Sequence, residues 1–121
     1  MKLVEILKPD FIFEDDRGLL CQVSHESFAQ VNAVFTKKGA VRGNFHYHRQ
    51  TREIFFVISG EIELSVYCGD LSEKHRFKTG DMFMIPEEVR HSFLYCEDTY
   101  LVAFYTSAVE LPDGTKDILT D

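Results

Sequence analysis

His46 and His48 are separated by one residue, Glu53 follows five positions later, and His91 lies further on, after Gly80 and Pro86. Imidazole and carboxylate are side chains that hold divalent cations. Three nitrogens and one oxygen suit Zn, Fe, Mn, Ni or Cu, and ligand type alone does not choose among them. An HxH pair by itself is a weak signal. Joined to Glu53, to Gly60 and to the downstream G-x5-P-x4-H, it points to one site.

Strands are what could bring these residues together. Side chains at i and i+2 of a strand point the same way, roughly 6.6 Å apart. His46 and His48 would then share a face and Tyr47 would take the other. Arg49 to Arg52 suffice for a turn, and Glu53 would open the returning strand on the face of Phe55 and Val57. A carboxylate pointing inward needs a partner, because burying an unpaired charge is very costly. His91 would start another strand, sharing its face with Phe93 and Tyr95. His46, His48, Glu53 and His91 are therefore the expected metal ligands. His25 and His75 lack this context and are read as surface residues.

The rest of the chain supports a sheet protein. In "EIELSVY", Ile62, Leu64 and Val66 alternate with Glu61, Glu63 and Ser65, the pattern of a half-buried strand. "EIFFVIS" is apolar on both faces and reads as a central strand. "FIFEDDRGLLCQVS" reads as a hairpin turning at Asp15 to Gly18, and "KTGDMFMIP" as a turn and a short strand ended by proline. Helical periodicity is weak throughout. Many short strands between turns predict a single all-β domain over residues 1–121, a small antiparallel barrel or jelly roll. The tail around "LPDGTKD" is expected to be only loosely attached.

Composition narrows the function. The chain has 121 residues, 45% of them hydrophobic, with eleven Phe, five Tyr and no Trp, which is enough apolar material for a core. A net charge of −7 argues against nucleic acid as a partner. The charge is uneven, however: between Glu26 and Glu53 there is no acid, and Lys37, Lys38, Arg42, Arg49 and Arg52 are five of the 13 basic residues. Such a local positive field around the histidines suits a small anionic ligand. Cys21, Cys68 and Cys96 form no CxxC pattern and read as reduced, packed thiols. No stretch reads as a bilayer span or a signal peptide, so a cytoplasmic protein without membrane partners is expected.

The stretches "HYHRQTREIFFVISG" and "GDMFMIPEEVRH" resemble the two motifs of the cupin superfamily, over about Gly39 to Tyr95. Glu88 stands where the second motif usually has Gly, and Tyr95 where it often has Asn. The spacing from Gly39 to His46 is one residue longer than usual. Upstream, "QVNAVFTKKGAVRGNFHYH" resembles sugar-nucleotide cupins: the dTDP-4-keto-6-deoxyhexose 3,5-epimerases and 3,4-ketoisomerases, and the C-terminal cupin domain of capsular polysaccharide reductase-epimerases. The resemblance implies a double-stranded β-helix with Arg42, Gln30, Asn32 and Arg49 around a nucleotide sugar. It also implies a role in surface polysaccharide biosynthesis. In the epimerases the first histidine of the motif is the base, which conflicts with metal ligation by His46. Tyr47, Tyr95 and Tyr105 are the alternative catalytic candidates. The ketoisomerases carry both histidines without needing a metal, and Glu53 is what tips this chain toward a divalent transition metal.

Three functions remain open at this point. The first is an epimerase or isomerase of a nucleotide-linked 4-keto sugar. The second is a metal-dependent dioxygenase of a small organic substrate, and the third a non-catalytic carbohydrate-binding cupin. Exposed strands such as "LVEIL" predict a homodimer in which the N-terminal strand crosses to the partner.

Overall fold

A computed structural model describes residues 2–121. Its strands are β1 (Glu5–Leu7), β2 (Phe11–Asp15), β3 (Gly18–Gln22), β4 (Gln30–Thr36), β5 (Val41–His46), β6 (Glu53–Ser59), β7 (Glu61–Cys68), β8 (Leu71–Lys78), β9 (Met82–Ile85), β10 (Arg90–Tyr95) and β11 (Thr99–Tyr105). There is no helix among the described residues. One sheet has the order β1-β9-β6-β11-β4 and the other β5-β10-β7-β8, with every pairing antiparallel. The all-β jelly roll expected from the strand pattern is the fold observed.

The inner faces of the two sheets meet in one core. Phe55, Val57, Phe83, Ile85, Leu101 and Ala103 come from the five-stranded sheet, and Ile62, Leu64, Val66, Phe77 and Phe93 from the four-stranded one. Alternation places them there: in β7 the residues Ile62, Leu64 and Val66 are buried while Glu61, Glu63 and Ser65 are only half-buried. Phe77 stacks on Phe83 at 4.0 Å between ring centroids, and Phe83 on Phe55 at 5.1 Å. These rings fill one end of the barrel and leave the other end to the histidines.

Several sequence expectations need correction. The stretch "LSEKHRFK", for which the sequence pattern offered no expectation, is a full strand, β8, whose charged outward residues suit its place at a sheet edge. Leu3 and Val4 are fully buried in their own barrel, and β1 pairs with β9 of the same chain rather than reaching across to a partner. His75 is half-buried, stacked on Phe77 and 2.9 Å from Glu73. The tail is held rather than loose. Tyr47 and Leu119 exchange two main-chain hydrogen bonds at 3.0 Å, and the Asp121 carboxylate accepts hydrogen bonds from Arg90 and Tyr67. The β2–β3 hairpin turns where expected, with Arg17 bonded to Asp15 and Gly18 following at φ +136°.

Candidate metal centre

The β5–β10 pairing sets the geometry of the site. His91 lies opposite His46 and Phe93 opposite Arg42, so two steps along β10 correspond to four along β5. The surplus residues form a bulge, with Gly43, Asn44 and Phe45 all at positive φ. Gly43 is needed there, because a Cβ at this position would stand 2.9 Å from the His91 carbonyl oxygen. The bulge turns His46 inward, and His48 follows beyond the end of the strand. Glu53 opens β6, paired on one side with Tyr105 of β11 and on the other with Ile85 of β9.

The four side chains converge. Each offers one ligand atom, and these atoms all lie within 4.8 Å of one another. His46 Nε2 is 3.0 Å from His91 Nε2, while Glu53 Oε1 is 2.7 Å from His48 Nε2 and 3.2 Å from His91 Nε2. His48, Glu53 and His91 are buried, and His46 is partly open to a cavity.

The outer nitrogens fix how the rings present themselves. His48 Nδ1 donates to the Asp117 main-chain carbonyl, and His91 Nδ1 to that of Val89 at 3.2 Å. Carbonyl oxygens only accept, so Nδ1 carries the proton and Nε2 faces the cluster with its lone pair. His48 Nε2 and Glu53 Oε1 are buried atoms without a hydrogen-bond partner despite their closeness. Lone pairs and a carboxylate aimed at one point require a proton or a cation between them. Ligand atoms about 2.1 Å from a shared metal lie about 3.0–3.4 Å from each other; the His46–His91 and Glu53–His91 spacings of 3.0 and 3.2 Å fall in that range, and the Glu53–His48 spacing of 2.7 Å is shorter. The residues therefore fit a divalent transition metal.

Electrostatics agrees. Burial holds the proton affinity of His46 down to about 4, and His91 and His48 push in the same direction. For Glu53, burial alone would raise the pKa, but the close His48 and His91 imidazoles override it and keep the carboxylate ionised. For His48, burial lowers the proton affinity, yet Glu53 and the Asp117 carbonyl raise it above the ordinary value. Burial, then the Glu53 charge, drives the Tyr105 phenol well above the usual range.

The cluster opens on a cavity of about 200 Å³. Gln30, Asn32, Arg42 and Tyr105 line it, as do Val109, Glu110 and Ile118 of the tail. Arg42 Nε donates to Thr36 Oγ1 at 2.8 Å. Gln30 donates to Asn32 and accepts from the Val109 amide at 3.0 Å. Other sequence candidates lie elsewhere. Tyr47 points away from the cavity, buried beneath the Arg90 guanidinium at 3.5 Å. Tyr95 sits in the core against Phe93, and Arg49 is exposed, with its main-chain amide on Asp117. Of the three tyrosines, Tyr105 alone lines the cavity. Glu88 adopts φ +70°, which explains why glycine is usual at that place, and its amide donates to the His48 carbonyl at 2.8 Å. Sequence reasoning missed Asp117 and the tail wall.

A Cupin domain model matches residues 34–106. No curated protein matches the chain. Among solved structures, a double mutant of the QdtA 3,4-ketoisomerase from Thermoanaerobacterium thermosaccharolyticum, in complex with TDP, superposes with a TM-score of 0.82 at 16% identity. That alignment covers 100% of this chain and 89% of the other. The dTDP-4-dehydrorhamnose 3,5-epimerase from Sulfolobus tokodaii gives a TM-score of 0.76 at 26% identity, over 92% of this chain and 74% of that one. The WlaRB TDP-quinovose 3,4-ketoisomerase from Campylobacter jejuni gives 0.78 at 17% identity, over 96% and 94%.

Proposed function

Because this chain belongs to the cupin family, we propose that it is a single-domain, metal-binding sugar-nucleotide epimerase or isomerase acting on a 4-keto-6-deoxyhexose. The observation that carries this reading is the His46–His48–Glu53–His91 cluster opening on a cavity lined by Arg42, Gln30 and Asn32. The similarity in fold to ketoisomerases and an epimerase of TDP-linked sugars supports it.

The reaction removes a proton beside a carbonyl and returns it on another face or carbon. Such chemistry needs a base, an acid and charge stabilisation at the enolate oxygen. His46, His48, Glu53 and His91 would hold a divalent metal, which when bound would supply Lewis-acid polarisation of that oxygen. With the three imidazoles engaged, the proton carriers must come from the rest of the wall. Tyr105 stays protonated at neutral pH and serves as the donor. Glu110 is the wall carboxylate outside the cluster and serves as the acceptor. The cavity is smaller than the roughly 300–1,000 Å³ of drug-sized sites. The sugar ring would enter it, and the diphosphate would lie at the mouth, where the Arg42 guanidinium suits phosphate.

The same small volume favours a second reading, in which a compact organic substrate is oxidised at this centre. Three unpaired cysteines support a reducing, cytoplasmic setting for this activity, and its proposed role is in surface polysaccharide biosynthesis. A homodimer is expected, because Val31, Phe35, Ile58 and Tyr100 leave an apolar outer face on the five-stranded sheet. The test is incubation with a panel of nucleotide-linked 4-keto sugars in heavy water. Deuterium should enter at the carbon beside the ketone, and absence of exchange across the panel would contradict the isomerase reading.

A further inference from the structure

The tail reaches the cluster through one residue. The Asp117 carbonyl accepts from His48 Nδ1. Its carboxylate gathers the turn that carries the chain from His48 to Glu53: Oδ1 accepts from the Arg49 amide at 2.9 Å, and Oδ2 accepts from the Gln50 amide at 2.9 Å and from Thr51 Oγ1 at 2.8 Å. Thr51 is fully buried. One residue thus holds His48 and the three residues after it, most of the short turn that leads to Glu53.

We infer that Asp117 is a positioning residue of the metal centre: through its main-chain carbonyl it sets the tautomer and rotation of His48, and through its carboxylate it fixes the separation of His48 and Glu53. The residues 109–121 then form a wall of the site rather than an appendage, because Val109 and Ile118 line the cavity that Asp117 anchors. A hydrogen-bond acceptor behind a metal-binding imidazole fixes the ring and raises its basicity, and losing such a partner typically weakens metal affinity about 10–100-fold. Removing the carboxylate withdraws three hydrogen bonds from the 49–51 turn and leaves the carbonyl opposite His48 held only through the Asp117 amide on Val109 and the Tyr47–Leu119 bridge.

The metal arm of this inference rests on the proposed metal centre, so the test has a second arm that needs no metal. The full chain is compared with D117A, D117N and D113A. Asp113 bonds only Thr115 in an exposed turn and serves as the control. In the metal-stripped protein, NMR of isotope-labelled imidazole nitrogens reads the tautomer of His48. Wild type and D113A should show a protonated, hydrogen-bonded Nδ1 in His48, and D117A should show a fraction with Nδ1 unprotonated. Competition with a chelator for Zn(II) should show a loss of about 10–100-fold for D117A, a smaller loss for D117N, which keeps one acceptor oxygen, and no loss for D113A. A wild type that binds no Zn(II) but shows the tautomer change in D117A would overturn the metal reading and support the positioning role. An unchanged tautomer together with unchanged Zn(II) affinity in D117A overturns the inference. Where D117A does not fold, the same null result in D117N overturns it.

Discussion

Gly43 and Gly39 provide a matched pair that isolates how tightly the site is built. Gly43 has φ +92° and Gly39 φ +88°, so an alanine at either place meets nearly the same conformational penalty, about 1–2 kcal/mol. Their surroundings differ. Nothing lies within 4 Å of a Cβ at Gly39, whereas at Gly43 the His91 carbonyl oxygen is 2.9 Å away and the Ser92 Cα 3.5 Å away. Relieving such overlap against backbone requires β5 to move off β10, which adds about 1–3 kcal/mol. G39A should therefore lose about 1–2 kcal/mol, and G43A about 2–5 kcal/mol. The displacement falls between His46 and His91, whose Nε2 atoms stand 3.0 Å apart, so G43A should also lose at least about tenfold in Zn(II) affinity. Urea unfolding of the metal-stripped proteins reads the first quantity and chelator competition the second. Equal destabilisation of the two variants, with unchanged affinity, would refute the claim that backbone contact at the bulge sets the ligand geometry.

The metal-stripped protein should lose stability as pH falls from about 6.5 to about 4, because the unfolded chain protonates His46 near 6.5 while the folded one resists until about 4. His48 shifts the opposite way and contributes stability lost as pH rises through its raised value, so the comparison is with H46Q, which should flatten the acid decline; identical pH profiles would contradict the assignment. F83A removes a fully buried ring stacked on Phe77 and Phe55 and should destabilise by about 3–5 kcal/mol in urea; a loss under about 1 kcal/mol would place the core elsewhere. R42A should weaken TDP binding about 10–100-fold by calorimetry, the equivalent of a charge-assisted hydrogen bond of about 1.5–3 kcal/mol, and leave metal binding intact; unchanged TDP affinity would remove Arg42 from the phosphate site.

The ligand set was legible because it is written in side chains at strand spacing. His46 ends β5, Glu53 begins β6, His91 is the second residue of β10 and His48 lies just past β5, while Gly60, Gly80 and Pro86 mark turns between these strands. The bulge before His46 was not legible, since Asn44 and Phe45 take positive φ without the glycine that would announce it. Strand β8 was hidden by its charges, which follow from its edge position. Asp117 was invisible for a different reason: it acts on His48 through a main-chain carbonyl, which any residue possesses. Tyr47 and Tyr95 illustrate the limits of residue type. Their phenols carry the right chemistry, and only the packing shows that Tyr47 lies under Arg90 and that Tyr95 is set in the core against Phe93, outside the cavity lining.

Metal analysis of the purified protein tests the central claim most directly. Chain exposed to Zn(II), Mn(II), Fe(II) or Ni(II) and then desalted should retain about one equivalent of a divalent metal. H48A, folded by circular dichroism, should retain little. A folded wild type that emerges metal-free from every exposure would contradict the account, because the buried lone pairs of the three imidazoles and the Glu53 carboxylate would then have to be satisfied by protons alone.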